Sequence, residues 1–463
     1  MEVIETLNLY LGYLLVALLL GCAVWFTLSM RGVQFRLFGD MLRLLRRSDV
    51  GASQSRGGGV TSFQAFTVSI ASRVGTGNLA GVATAIALGG AGAIFWMWVV
   101  ALLGVVNAFV ESSLAQLFKS RSASGGGFVG GPAYYISKGL GSRWFAALFA
   151  LTIIFTFPYA VTSVQSNTIG LAFETAFGVA PIYTGCVIAV ATMFVIFGGV
   201  RRIAHFTQYV VPVMSLFYIV LALIVVALNF RQIPHVFYMI FADAFGGRQL
   251  MGGLVGSAIM MGIKRGLFSN EAGMGSAPNV AATADVSHPI KQGLVQSLGV
   301  YVDTLVICTS TAFIILCGGL YDSGLTGIEL TQMSLMRHVG EWGSYFVAVV
   351  ILFFAFTSIV ANYYYGESNL RFLTANRFVL FVFRLAVVAM VMYGAVAQLD
   401  VVWGLSDIGI SLMTLCNLTA LVLLRRYAIR LLNDYELQRA LGLRERYYAT
   451  TIPEIYSKTE CWH

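Results

Sequence analysis

Residues 71–84 read ASRVGTGNLAGVAT and place three glycines together with Thr76 and Asn78 inside an apolar stretch that runs from about residue 60 to residue 90. A helix that only crosses a bilayer gains nothing from such a helix-weakening cluster at half depth. In hydrocarbon, an unpaired backbone N–H or C=O costs several kcal/mol, so it persists only where it faces a partner, a cavity or a bound solute. The stretch therefore predicts a membrane helix that is interrupted near the bilayer midplane to form a binding site.

The composition is that of a protein embedded in lipid. The chain has 463 residues, of which 58% are hydrophobic and 11% are charged, and its mean hydropathy is +0.80. A soluble domain carries about 25% charged residues. We therefore predict an all-α polytopic membrane protein. Stretches long enough to span a bilayer number about eleven, at 9–30, 60–90, 93–118, 144–171, 182–199, 206–229, 249–277, 293–318, 343–366, 378–397 and 400–424.

Basic residues are concentrated on one side of these spans. Of the 29 lysines and arginines, 24 fall on the side that includes the loop after the first span and the C-terminal tail; Lys264 and Arg265 are counted there. The positive-inside rule places this side in the cytoplasm and the N-terminus outside. Basic loops are also typical of nucleic-acid binding. These loops are short and tied to span ends, so we expect the lipid bilayer as their neighbour and no nucleic-acid partner.

Enzyme and metal-site motifs are absent from the sequence. The six cysteines form no CxxC pair, the five histidines are scattered, and neither a Walker loop nor a GxSxG elbow occurs. We expect no enzymatic activity, no organic cofactor, no structural metal and no obligate protein partner.

The second half of the chain repeats the organisation of the first. A second interrupted span, 249–277, leads into GIKRGLFSNEAGMGSAP, which crowds glycines beside polar residues. Five spans counted from each break give two blocks, and an odd number inverts the second block in the membrane. Paired interruptions of this kind are typical of transporters and point to the substrate site. The predicted parts are 1–59 (the first span and an amphipathic segment at about 33–48), 60–248 (first repeat), 249–424 (inverted second repeat) and 425–463 (cytoplasmic tail).

The first break, Gly75-Thr76-Gly77-Asn78, suits a zwitterionic ligand. Glycine allows the chain to leave the helix and re-enter it. The helix that begins there presents unpaired N–H groups to a carboxylate, and the helix that ends there presents carbonyls to Na⁺ or an ammonium. Gly77 and Gly81 also fit a GxxxG packing seam, which remains the alternative interpretation.

Ionisable residues at membrane depth have several possible partners. Glu271 in the second break is either a structural carboxylate paired with Arg73 or Lys264, or the carrier of a coupling proton. Asp303 and Asp407 are candidate partners for Arg73 and for Arg384. Trp403 is interpreted as an interface anchor or as a gate residue.

Polar residues also occur within two unbroken spans. Thr162, Gln165, Ser166 and Asn167 lie in the fourth span, where hydrogen bonding between helices is an alternative role for Gln165 and Asn167. Thr357 and Ser358 in the ninth offer hard oxygen ligands suited to Na⁺. Bonding of these hydroxyls to their own helix is the alternative.

Three motifs together resemble one known family. RVGTGNLAGVATAIALGGAGAIFWMW (73–98), GLFSNEAGMGSAPNVAATA (266–284) and FFAFTSIVANYYYGESNL (353–370) are similar to the alanine/glycine:cation symporters, also called amino-acid carrier proteins. The resemblance covers about residues 60–425. It implies the five-plus-five inverted-repeat fold of the bacterial leucine transporter, preceded here by one extra helix, in the inner membrane of a prokaryote. It also implies secondary uptake of D- or L-alanine, glycine or another small amino acid with Na⁺ or, in some members, H⁺.

The resemblance assigns roles to residues around both breaks. The implied substrate contacts are Thr76, Gly77 and Asn78 for the carboxylate, Gly273, Met274 and Gly275 for the ammonium and side chain, and Gln165 and Asn167 as lining from the fourth span. The implied sodium ligands are Thr357, Ser358 and carbonyls around Gly75.

One position departs from the family pattern. Many relatives have tryptophan where this chain has Asn362, at a position that faces the substrate. A smaller, polar residue there predicts a roomier pocket. A proton-coupled carrier, an uncoupled channel for small solutes, and a receptor without flux remain alternatives to sodium symport.

Overall fold

The structure, a computed structural model, describes residues 2–46, 59–122, 127–197, 200–246 and 254–462. In chain order, the helices of the first half are α1 (Glu2–Ser29), α2 (Val33–Arg36), α3 (Phe38–Arg46), α4 (Ser62–Arg73), α5 (Gly77–Gly89), α6 (Gly92–Leu117), α7 (Pro132–Tyr135), α8 (Arg143–Phe177), α9 (Pro181–Ile196), α10 (Val200–Leu228) and α11 (Ile233–Phe245). Those of the second half are α12 (Leu254–Asn270), α13 (Pro278–Ala281), α14 (Pro289–Gly318), α15 (Gly327–Val339), α16 (Trp342–Leu373), α17 (Arg377–Val396) and α18 (Leu399–Ala440).

Smaller elements connect these helices. Strands β1 (Ser120–Arg121) and β2 (Phe128–Val129) form an antiparallel pair after α6. The remaining short pieces are a π-turn at Ile136–Leu140 and 3₁₀ turns at Phe230–Gln232, Ala449–Thr451 and Pro453–Lys458.

The predicted all-α membrane architecture is confirmed. Eight described helices are long and apolar enough to cross a membrane, namely α1, α6, α8, α10, α14, α16, α17 and α18. Helices α5 and α9 are apolar but shorter. These eight helices, the shorter α5 and α9, and α4 and α12 together overlap each of the eleven predicted stretches.

The first break lies where the glycine cluster predicts it. A capping box between Thr61 and Gln64 starts α4 by satisfying free N–H groups. The chain leaves the helix at Val74 and Gly75 and then re-enters it as α5, whose first turn is wider than an ordinary α-helical turn.

The second break needs residues that accept positive φ. Glu271 has φ 55°, Gly273 has φ 87° and Gly275 has φ 86°. Glycine adopts this region without penalty, whereas a glutamate does so only where its surroundings fix it. Helix α12 therefore ends at Asn270, and the short α13 begins at Pro278.

Helix α6 lies at the centre of the packing. It contacts α14 and α12, and each of its residues from Gly104 to Leu117 is buried. A helix that is buried on all faces lies inside the protein rather than against lipid. Helix α8 packs in turn against α16 and α17. These contacts bring both breaks, α8 and α16 together.

Two predicted boundaries concern the start of the tail and the division between the repeats. The last helix continues to Ala440, past the predicted end of the last span at 424, and the placement of residues 425–463 in a cytoplasmic tail stays a prediction. The predicted division between the repeats at 248 and 249 lies outside the described residues, and the division into repeats stays a prediction. The amphipathic segment forms α2 and α3, and its last residues, 47 and 48, are likewise not described.

Candidate functional site

The two breaks touch each other. A Cβ added at Gly77 would lie 3.0 Å from a ring carbon of Phe268 and 3.0 Å from Ser269 Cα. Glycine at position 77 is therefore needed for the close approach of α5 to the end of α12. The structure thus brings the two predicted interruptions to one buried place.

At the first break, the start of α5 is held by a side chain of α8. The Thr76 backbone N–H and hydroxyl both donate to Gln165 Oε1, at 2.9 and 2.8 Å. Asn78 Oδ1 accepts from Gly75 N at 2.9 Å. The Thr76 donors are those that the sequence interpretation reserves for a carboxylate. A substrate carboxylate can replace the Gln165 oxygen here without leaving a buried donor unpaired.

Asn78 also joins the break to a buried carboxylate on α14. Its Nδ2 donates to Asp303 Oδ1 at 2.7 Å, and Ser269 and Thr304 donate to Asp303 Oδ2 at 2.8 and 3.0 Å. In the described part of the chain, Asp303 forms no ion pair with Arg73, whose Nη1 donates to Gln296 O at 3.0 Å. Neutral donors rather than the predicted arginine thus satisfy this carboxylate.

Oxygen atoms crowd together between α4 and α16. Ser358 Oγ lies 2.8 Å from Ala71 O, 3.4 Å from Val74 O and 3.0 Å from Phe354 O. Thr357 Oγ1 lies 2.9 Å from Phe354 O. A hydroxyl has one proton and bonds one carbonyl at a time, so these buried oxygens outnumber the protons between them.

Such a cluster of hard oxygen donors fits a monovalent cation such as Na⁺. Thr357 and Ser358, the sodium ligands implied by the family resemblance, belong to this cluster, and both are buried. The carbonyls that converge on them come from Ala71 and Val74. The carbonyl of Gly75 instead accepts from Asn78 N at 3.3 Å.

The second break is bound by a glutamate that the sequence interpretation did not single out. Glu111 of α6 accepts hydrogen bonds from Gly273 N at 3.3 Å and from Gly275 N at 3.0 Å, and it also accepts one from Asn417 Nδ2 at 2.8 Å. Met274, between the two glycines, is fully buried. A lone carboxylate inside an apolar span is itself a signal of function, and it was available in the sequence.

Glu271 is held by serines. Ser72 Oγ lies 2.5 Å from its Oε1, and Ser276 Oγ lies 2.5 Å from its Oε2. The predicted pairing with Lys264 is wrong, because Lys264 Nζ donates to Asn8 O at 3.0 Å. Asn8 belongs to the N-terminal part of α1, and the side of the membrane on which Lys264 and its neighbour lie stays a prediction.

The two asparagines of the predicted site lie in different surroundings. Asn362 is fully buried, its Oδ1 lies 3.0 Å from Ser72 Oγ, and its Nδ2 has no partner among the described residues. Asn167 instead donates to the carbonyls of Gly394 and Ala397 at 3.0 and 2.8 Å, at the end of α17. The structure therefore brings Asn362 to the breaks and directs the Asn167 amide away from them.

Comparison with known proteins identifies the family. A model described as the sodium:alanine symporter family matches residues 1–449. The chain belongs to the sodium:alanine symporter family. Membership makes it a multi-pass membrane transporter rather than an enzyme, and a cation-coupled amino-acid symporter in particular.

Curated relatives cover nearly the whole chain. It is 48% identical over 450 residues to the probable sodium/glutamine symporter GlnT of Bacillus subtilis, with 97% of this chain and 93% of the relative covered. It is 48% identical over 453 residues to the amino-acid carrier protein AlsT of the same organism, with coverage of 98% and 95%. It is 39% identical over 402 residues to a sodium/proton-dependent alanine carrier protein of Bacillus sp. PS3, with coverage of 83% and 90%.

Solved structures establish the fold. The complex of MhsT with L-phenylalanine matches with a TM-score of 0.56 at 13% identity, covering 87% of this chain and 93% of that one. A manganese transporter of Eremococcus coleocola matches with a TM-score of 0.51 at 12% identity, covering 86% and 83%. These likenesses confirm the leucine-transporter-like fold and carry no information about the substrate.

An ion pair and two aromatic rings lie next to the breaks in this symporter. Arg265 Nη2 contacts Asp407 Oδ2 at 2.6 Å, and its guanidinium lies 4.2 Å from the Trp403 ring centre. Trp403 packs against Phe268 with 4.7 Å between ring centres. The predicted partners of Asp407, Arg73 and Arg384, are therefore wrong.

Arg384 pairs instead with Glu367, with 3.2 Å between Nη2 and Oε1.

A cavity of about 110 Å³ lies beside Trp403. It is lined by residues of α5, α8, α15 and α18, including Ala80, Thr168, Ile328 and Trp403 itself. Its lining residue on α5, Ala80, follows Asn78 of the first break by two positions.

Proposed function

We propose that this symporter takes up a small neutral amino acid together with Na⁺ by alternating access, with the N-terminus outside the cell. The observation that carries the proposal is the oxygen cluster of Ala71, Val74, Phe354, Thr357 and Ser358, which lies beside the Thr76 donors of the first break. The cluster suits a cation, and the donors suit a carboxylate. The carbonyls of Ala71 and Val74 and the donors of Thr76 lie at the same interruption, so the binding of either ligand fixes backbone that the other ligand needs.

The proposed substrate is a zwitterion the size of alanine or glycine. Thr76, Gly77 and Asn78 receive its carboxylate, and Gly273, Met274 and Gly275 surround its ammonium and side chain. Gln165 faces this space from α8. Asn167 is retained in the proposed lining only through its helix, because its amide bonds α17.

Asn362 supports a wider range of side chains than alanine and glycine. Its buried Nδ2 donor lacks a partner among the described residues, and a buried donor without a partner is costly. A substrate with a hydroxyl or an amide satisfies it. The relative named as a sodium/glutamine symporter is in accord with polar neutral amino acids as substrates of this chain.

Sodium provides the driving force in this proposal. Moving one positive charge inward releases about 2.3 kcal/mol for each 100 mV of membrane potential, before the concentration gradient is added. One Na⁺ per neutral amino acid makes transport electrogenic. Coupling to H⁺ is the competing possibility, since Glu271 is a buried carboxylate beside the breaks.

Uptake into liposomes that contain the purified protein tests the proposal. Labelled alanine is offered with an inward Na⁺ gradient, with choline in place of Na⁺, and with a pH gradient alone, against competing D- and L-amino acids. We expect uptake only with Na⁺, and inhibition by glycine, serine and unlabelled alanine. Uptake that is indifferent to Na⁺ would contradict the proposal, and uptake driven by the pH gradient alone would favour proton coupling.

A further inference from the structure

Glu111 is a buried carboxylate with an unusual set of partners. All three of its described donors, Gly273 N, Gly275 N and Asn417 Nδ2, belong to the second break or bind to it. Asn417 also donates to Gly273 O at 2.9 Å and accepts a hydrogen bond from the Tyr135 hydroxyl. Both carboxyl oxygens of Glu111 therefore act as hydrogen-bond acceptors in these three contacts. A carboxyl group is thus held directly against the non-helical backbone.

The two peptide groups that Glu111 binds are oriented by that contact. The N–H of Gly273 shares a peptide group with the carbonyl of Ala272, and the N–H of Gly275 shares one with the carbonyl of Met274. In a trans peptide, the N–H and the C=O point in opposite directions. The carbonyls of Ala272 and Met274 therefore point away from Glu111 and from α6.

These two carbonyls are free in the described structure. Ala272 and Met274 are both buried, yet no hydrogen bond of the described residues ends on either oxygen. The neighbouring carbonyl of Gly275, by contrast, accepts from Asn279 Nδ2 at 2.9 Å. Buried carbonyls almost always have a partner. The break thus presents two acceptors that point away from α6.

We infer that Glu111 is a positioning residue for the substrate ammonium. It fixes two peptide groups so that the carbonyls of Ala272 and Met274 face the substrate, and its charge polarises those peptides and strengthens both acceptors. An ammonium offers three donors and can satisfy both. This inference rests on the proposed function, because it requires an amino-acid substrate at the breaks.

The test compares alanine with propionate, which keeps the carboxylate and the methyl group and lacks the ammonium. Each compound competes with labelled alanine for the purified protein in saturating Na⁺. The Glu111→Gln variant removes the charge and places a donor where acceptors are needed. We expect alanine affinity to fall about tenfold or more, as for the loss of a hydrogen bond with a charged group, while propionate affinity stays within about twofold.

A matched variant and a rescue separate this role from a structural one. Glu367→Gln removes another buried carboxylate, which pairs with Arg371 and Arg384 away from the breaks, and it should leave the alanine-to-propionate ratio unchanged. Glu111→Asp keeps the charge and should recover part of the alanine affinity. If propionate proves too weak to measure, the loss of alanine affinity in Glu111→Gln and its partial recovery in Glu111→Asp decide the matter.

Failure of the inference about Glu111 and failure of the proposed function give different results. Equal losses for alanine and propionate in Glu111→Gln, or an unchanged alanine affinity, would overturn the role of Glu111. If Glu111→Gln does not fold, Glu111→Asp takes its place. The preference for alanine over propionate must then be smaller in Glu111→Asp than in the wild type, and an unchanged preference overturns the inference as well. A wild-type protein that fails to bind alanine in Na⁺ would instead contradict the proposed function.

Discussion

Thr357 and Ser358 place two hydroxyl oxygens among carbonyls of α4 and α16, and this arrangement carries the proposed Na⁺ site at the scale of single residues. Both hydroxyls also bond a carbonyl of their own helix, as the alternative interpretation predicts. The two interpretations are compatible, because a hydroxyl that donates to one carbonyl keeps lone pairs for a cation. The second set of carbonyls, from α4, is what makes the place a cation site rather than a local helix contact.

Replacing Thr357 by alanine tests that site. The variant loses one proposed ligand oxygen, so we expect the Na⁺ concentration for half-maximal alanine uptake to rise about tenfold, which corresponds to about 1.4 kcal/mol. Thr419→Ala is the matched control, because among the described residues the Thr419 hydroxyl bonds only Leu415 O, at 2.8 Å, on an exposed part of α18. An unchanged Na⁺ requirement in the Thr357 variant would remove this residue from the site.

Asn362 tests how a single side chain sets the substrate range. We expect Asn362→Trp to retain alanine and glycine and to weaken competition by serine and glutamine about tenfold, because the ring fills the pocket and removes the free amide donor. Asn362→Leu keeps the branched heavy-atom skeleton of asparagine without the amide, so it separates the loss of the hydrogen-bonding group from the bulk of a tryptophan ring. Equal competition by serine in wild type and both variants would contradict a substrate contact at this position.

At the scale of elements, the breaks were predictable and their partners were not. Clustered glycines and polar residues in apolar stretches marked both interruptions, because they are unfavourable in an unbroken span. Glu111 could be noticed as a lone carboxylate in an apolar span, but its contact with Gly273 could not be predicted, because the two residues are 162 positions apart in sequence. The opposite directions of Gln165 and Asn167 follow from helix geometry, since residues two apart do not share a face.

The conformation of the second break provides a prediction at this scale. Gly275→Ala places a Cβ at φ 86° and within 2.9 Å of Asn417, Phe149 and Pro132, so strain and crowding add together. Gly178 has φ 67° at the end of α8 with no atom within 4 Å of an added Cβ. We expect Gly178→Ala to cost only the strain, about 1–2 kcal/mol, and to keep transport.

Gly275→Ala should lower the melting temperature further and abolish alanine binding. Thermal unfolding in detergent and binding of labelled alanine check both expectations. Equal effects of the two substitutions would show that backbone strain alone, rather than packing around the break, requires glycine at position 275.

At the scale of the whole molecule, the last part of the C-terminal tail (residues 441–462, after α18) packs back against the helices and contacts them at one end of the protein. Tyr447 N donates to Ser287 O at 2.9 Å, and Trp462 Nε1 donates to Gln116 O at 3.0 Å. Hydropathy places spans but carries no signal for this return, because the tail is polar overall and its contacts depend on a few aromatic residues. The extension of α18 was missed for the same reason.

The segment that the tail binds is also joined to the start of α4. Val60 N donates to Thr283 O at 3.2 Å, and Asp285 N donates to Val60 O at 3.0 Å. We therefore expect deletion of residues 444–463 to speed amide hydrogen exchange in residues 283–291 about tenfold or more, with exchange in α8 unchanged. Unaltered exchange in that segment would mean that the tail contacts contribute nothing to its stability.

The central claim is that one interrupted helix binds a cation and an amino acid side by side. Equilibrium binding of labelled alanine to the purified protein, titrated with Na⁺ and repeated with choline, tests it most directly. Linkage requires that Na⁺ raise alanine affinity by the same factor by which alanine raises Na⁺ affinity. The account predicts a shared factor of about ten or more, and identical alanine affinity in Na⁺ and in choline would contradict it.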